Sequence, residues 1–166
     1  MTKTNIPEYQ LMLALRGLIG ADYNTARDEV IDLVWKDFPR KVVDTKDKYP
    51  RITIFLVTET GVPVSVGNNT ATENTYIIQI DIWMWDKTKD NLYVKVDNVT
   101  MSGTRARDEI ARHVLYLLRN NFYTDDNLSG YYDYMVRANR VIPFHEADGI
   151  LRKSIEIEFK EMDTST

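Results

Sequence analysis

Glu158, Phe159 and Lys160 set an acid and a lysine two residues apart, the spacing that puts both side chains on one face of a strand. With Asp81 from a neighbouring strand, they have the residue types of a divalent-metal nuclease centre. Two carboxylates would hold the cation and the lysine would orient or activate water. Plain alternation in a solvent-facing strand produces the same spacing. Tyr131, Tyr132 and Tyr134, followed by Arg137 and Arg140, have the composition of a stacking platform for single-stranded nucleic acid. Tyrosine is also favoured in strands for packing reasons alone.

Other chemistries find less support. GLIGADYNT matches neither GxGxxG nor GxxxxGK[ST], and it ends a helix rather than opening one after a strand. His113 sits on a helix beside Arg112 and Glu109, as a surface or boundary residue does. His145, with Glu146 and Asp148, falls in the turn HEADG and lacks a ligand spacing. No GxSxG elbow is present. The chain has no cysteine, which excludes disulfides, thiolate nucleophiles and Cys-ligated zinc. No catalytic residue, metal site or cofactor is therefore assigned, and the reading favours an assembly part over an enzyme.

The elements that position these residues follow from two periods. Helical spacing governs Leu11, Ala14, Leu15 and Leu18, with Asn5 and Pro7 suited to the start and Gly20 to the stop. A second helix is expected from about Thr25 to Phe38, striped by Val30, Ile31, Val34, Trp35 and Phe38. From Pro50 the period becomes two. Ile52, Ile54 and Leu56 alternate with Thr53, Phe55 and Val57, and apolar groups on both faces imply cover on both sides. GVPVSVGNNTATENT then reads as a long mobile loop over 61–75, although Val62, Val64 and Val66 alternate within it.

Thr75 to Trp85 is the strongest strand pattern, with Tyr76, Ile78, Ile80, Ile82 and Met84 on one face. Trp83 and Trp85 lie on the other, as core or subunit-interface anchors. LYVKV is a short strand. Thr104 is placed to cap a helix running to about Asn120, striped by Ala106, Ile110, Val114, Leu117 and Leu118. Long strands follow at Tyr131–Ile142 and Gly149–Glu161. In the last, Leu151, Ile155, Ile157 and Phe159 oppose Arg152, Ser154, Glu156, Glu158 and Lys160. The order α-α-β-β-α-β-β points to an α+β fold: an antiparallel sheet of about four long strands with helices on one face.

The 166 residues fit a single domain, with a folded core over 6–161 and a frayed tail at 162–166. A formal net charge of −4 argues against binding nucleic acid by broad phosphate neutralisation. The opening MTKTNIPEYQ lacks the basic-then-apolar layout of a secretory signal. No apolar run approaches the ~20 residues of a membrane span. The sequons at Asn68, Asn98 and Asn127 are read as chance, and the expected place is the cytoplasm or a particle assembled there.

The layout resembles the tail terminator (tail completion, or head–tail joining) proteins of long-tailed bacteriophages and archaeal tailed viruses. The resemblance rests on the N-terminal helix, a strand opening at YPRITIF, a long polar loop, the strand YIIQIDIW, the helix RDEIARHVLYLLRN and the closing strand GILRKSIEIEFKE. It implies a homo-oligomeric ring, usually a hexamer, at the tail–neck boundary of a virion, with another neck or connector protein of the same particle as the close alternative. Such a ring caps the tail tube, meets a head or neck connector protein, and lets DNA pass in transit. It implies no catalytic residues, no cofactor and no membrane. By this analogy the loop over 61–75 contacts the tube or a ring neighbour. The expected interface residues are Val62, Val64, Val66, Asn68 and Asn69, with Trp83 and Trp85.

Overall fold

The computed structural model describes residues 7–21, 33–35, 49–66, 69–87, 90–91, 93–96, 99–142 and 149–163. Helix α1 (Pro7–Gly20) comes first. Asn5, read as its cap, lies outside the described residues. Strand β1 (Leu33–Trp35) runs parallel to β2 (Arg51–Val66), with Leu33 opposite Arg51. This corrects the helix expected from about Thr25 to Phe38 at these three residues; the remainder of that span lies outside the described residues. A run as short as Leu33–Val34–Trp35 has no period of its own, and pairing with β2 decides its state.

Strand β3 (Asn69–Lys87) pairs antiparallel with β2 from Trp83 opposite Arg51 to Asn69 opposite Val66. The register shifts once, between Leu56 and Thr58. The long loop expected over 61–75 is therefore strand over 61–66 and 69–75. Valine and threonine recur through it, and both fit a pleated surface whatever the polarity of their neighbours. Strand β4 (Asp90–Asn91) pairs with the end of β3, and β5 (Tyr93–Val96) pairs with β6 (Val99–Ser102) in a separate hairpin. The short strand expected at LYVKV is thus present.

Helix α2 (Gly103–Asn121), strand β7 (Tyr131–Ile142) and strand β8 (Ile150–Asp163) complete the elements among the described residues. The main sheet runs β1-β2-β3-β8-β7, with all the long strands antiparallel. Met162 and Asp163, expected to fray, pair instead with Glu73 and Thr72.

Both helices cover one face of this sheet, as the expected α+β arrangement requires. Leu11, Leu15 and Ile19 from α1, and Ala106, Ile110, Val114 and Leu118 from α2, bury against the sheet. The sheet side of this core is Ile52, Ile54, Tyr76, Ile78, Ile80, Ile82, Met84, Ile155, Ile157 and Phe159. At about 3.3 Å per residue the 19-residue β3 spans about 60 Å, whereas the 19-residue α2 spans about 28 Å. The strands must outrun the helices, and they do so at the hairpin end.

Ser102, not Thr104, stands at the helix cap, with extended backbone and no side-chain cap bond. Gly103 then takes φ +56°, and a Cβ there would meet Asp86 Oδ1 at 2.7 Å. Glycine supplies both the left-handed turn and the room for that carboxylate. Gly103→Ala is expected to cost about 1–3 kcal/mol, read from urea denaturation. An unchanged midpoint would reject this account of the turn.

Candidate assembly surface

The residues proposed for a nuclease centre do not converge. Asp81 stands opposite Ser154 in the β3–β8 register, while Glu158 stands opposite Ile77. Four residues of strand separate the two acids along the sheet, about 13 Å. Each is held by its own cation. Arg152 Nη2 lies 2.7 Å from Asp81 Oδ2, and Arg137 Nη1 lies 3.3 Å from Glu158. Lys160 Nζ is 4.0 Å from Glu73. No group of three His, Asp or Glu side chains able to hold a metal occurs among the described residues.

Asp81 instead belongs to a buried polar layer on the sheet face opposite the helices. Gln79 Nε2 donates to Asp81 Oδ1 at 2.8 Å, and Trp83 Nε1 donates to Thr53 Oγ1 at 3.0 Å. The Arg152 guanidinium stacks 4.9 Å above the Trp83 ring. Trp83, 1% exposed, and Trp85, 6% exposed, form a second core with Tyr49 and Ile150. Of the two expected places, core or subunit-interface anchor, the folded chain gives both the core one. Large indoles gain most by burial, and Thr53 satisfies the N–H of Trp83.

The tyrosines do not form a platform either. The β7–β8 register shifts between Tyr131 and Asp133, so Tyr131 and Tyr134 fall on the same, helix-side face. Tyr131 packs edge-on to Tyr76 and Phe159, and Tyr134 packs 4.5 Å from Phe122. Tyr132 alone stays exposed, and its hydroxyl donates to Glu73 Oε2 at 2.5 Å.

That bond, with a smaller contribution from burial, pushes the Tyr132 phenol up to about 12. A raised folded-state value makes the stabilisation complete below the ordinary tyrosine value, and it is lost as pH climbs through about 12. A spectrophotometric titration of Glu73→Gln should return this phenol toward the usual value of about 10. An unmoved midpoint would refute the assignment. Tyr76 is displaced upward too, by burial first and then by its 2.8 Å bond to Glu161.

His113 is buried on α2, its ring 5.8 Å from Tyr116. His145, Glu146 and Asp148 lie outside the described residues.

One surface open to solvent is the arm: β2 beyond Thr58 paired with β3 before Tyr76. It lies past the last core residue of the sheet, and residues 57–63 are all exposed. Val62 is 59% exposed and Val64 half-buried. Opposite them in register stand Glu73 and Ala71. Val66 and Asn69 end the paired ladder, and Asn68 lies outside the described residues.

A second exposed surface was not expected. On the outer side of α2, Arg105, Arg112 and Arg119 recur one heptad apart, with Tyr116 on the same stripe and Tyr123 in the turn just past the helix end. Tyr116 is 57% and Tyr123 75% exposed. Glu109 bonds Arg112 within the stripe. The heptad recurrence was present in the sequence, but the core stripe of the same helix drew the reading inward.

No family model and no curated protein matches the chain. Among solved structures, it is similar to a chain of the virion of a native gene transfer agent particle. The identity is 11% and the TM-score 0.46, over 96% of this chain and 99% of that chain.

Proposed function

We propose that this chain is a structural subunit of a tailed-virus-type particle, a tail-terminator-like ring subunit. In this reading it caps a tail tube, meets a neck or connector protein, and surrounds DNA only in transit. The observation that carries the reading is the arm. A hairpin that outruns its helices and exposes valines has too little to bury within its own chain. β8 backs the arm only as far as Thr72, and the two-stranded tip beyond it would gain stability by lying on another surface. The dispersal of Asp81, Glu158 and Lys160 into separate ion pairs supports an assembly role over the nuclease alternative. The burial of Tyr131 and the packing of half-buried Tyr134 on Phe122 likewise weaken the nucleic-acid-module alternative.

Sedimentation velocity over a concentration series, with negative-stain imaging, tests the proposal. The expected result is a closed ring, with Val62→Asp lowering the assembled fraction and leaving the melting temperature unchanged. A chain that stays monomeric across the series would sink it. So would Mg²⁺-dependent DNA cleavage abolished by Glu158→Ala.

A further inference from the structure

We propose that this chain guards both open edges of its main sheet against strand addition by further copies, so that copies can meet only through side-chain faces. The inference goes beyond the ring reading and stands whether or not a ring forms.

The sheet order β1-β2-β3-β8-β7 leaves two edges. β7 is 12 residues long and pairs with β8 on one side; no second strand among the described residues pairs with it. At the other edge β1 pairs with β2 only from Arg51 to Thr53, and from Ile54 to Val66 β3 is the single strand beside β2 among the described residues. Both open stretches run well past the ~5–6 residues of an ordinary strand. Both carry exposed apolar side chains: Met135, Val136 and Val141 on β7, Val57 and Val62 on β2. A long apolar edge is a template for a strand of another chain. The two edges differ, so joining β7 of one copy to β2 of the next would extend into a fibre wherever the rotation does not close.

Neither edge offers a long template. In β7 the register shifts between Tyr131 and Asp133 and again between Val136 and Ala138, which makes Tyr132 and Arg137 extra residues. The longest unbroken run is the five residues Ala138–Ile142. In β2 the register shifts between Leu56 and Thr58, and Pro63 stands opposite Thr72. Proline has no N–H to give and is confined to sheet edges and bulges. The longest run of open β2 free of both is again five residues, Thr58–Val62. A bulge bends and twists its strand, so an added strand would lose register at each one.

Charge sets a second barrier on β7. The Arg137 and Arg140 side chains are 44% and 60% exposed. They lie 3.3 Å from Glu158 and 2.6 Å from Glu156 of the adjacent β8. A strand added to β7 would take both ion pairs out of water, and that desolvation offsets the gain in backbone bonds. Charged residues beside a hydrophobic strand commonly act as gatekeepers in this way.

Removing the guards tests the proposal on the full chain. Deleting Arg137 merges two runs of β7 into one from Asp133 to Ile142, and Pro63→Val restores a donor to β2. Either change should leave the circular dichroism native and raise thioflavin T fluorescence and pelletable protein at least ~tenfold over wild type. Adding Val141→Glu to the Arg137 deletion should return the chain to solution, because a charge again stands on the open edge. Polymers that persist despite Val141→Glu would trace to unfolding and refute the guard reading. Arg137→Val with Arg140→Val keeps the bulge, removes both charges and covers the case in which the deletion does not fold; the same rise is expected. Folded variants as soluble as wild type would overturn the proposal. Fibres formed by the wild-type chain itself would do so too.

Discussion

Replacing Phe159 with alanine should destabilise the chain by about 4 kcal/mol. Phe159 is fully buried at the centre of an aromatic group. Its ring lies 6.0 Å from Tyr131, 6.1 Å from Phe122 and 6.3 Å from Tyr134. These partners come from the end of α2 and from β7, so with β8 itself the cavity would open where three elements meet. Close-packed neighbours on a sheet cannot collapse far into such a space. In a domain of this size the loss should lower the melting temperature by about 10 °C. Phe159→Leu should cost clearly less, because it keeps most of the volume. Equal losses for the two variants would show that ring contacts, not volume, govern the site.

Asp81→Ala should cost about 3–5 kcal/mol, the cost of breaking a buried ion pair from one side. It strips Arg152 of a carboxylate 2.7 Å away and leaves the Gln79 amide without its acceptor. The cost arises from the uncompensated charge more than from the lost attraction. Replacing Asp81 and Arg152 together by leucine should therefore recover most of the loss. A double-mutant cycle by chemical denaturation measures that coupling. A loss under about 1 kcal/mol for the single change would mean that water reaches Arg152 and the layer is not closed.

Local pattern carried a good part of the fold. Alternation in Tyr76–Met84 and in Leu151–Phe159 assigned both strands to the correct faces, because a period of two leaves no other choice when one face is apolar. The α2 stripe was legible for the same reason at its own period. Leu33–Trp35 was misread because three apolar residues contain less than one helical turn. The arm was misread because Gly61 and the asparagines are turn residues by type, while their pairing with the opposite strand depends on register.

The candidate site was less legible because its determinants are pairings between distant segments. Asp81 and Arg152 meet across 71 positions of chain, and no local spacing announces them. Tyr131 and Tyr134 share a face only because of an extra residue in β7. The arginine heptads were written in the sequence.

The position of β8 has a consequence for the timing of assembly. This strand is the last of the described elements in the chain, yet it lies between β3 and β7 in the sheet. On the ribosome, β3 and β7 would have no common partner until residues 150–163 emerge. Topologies that wait on such distant pairings fold slowly. The hairpin arm would gain its rigid base only then, since Glu161 and Met162 pair with Asn74 and Glu73 at its root. A nascent chain would thus be unable to present a properly aimed arm to a finished neighbour. In the proposed ring reading, insertion of the central strand would act as a built-in delay that restricts assembly to completed subunits.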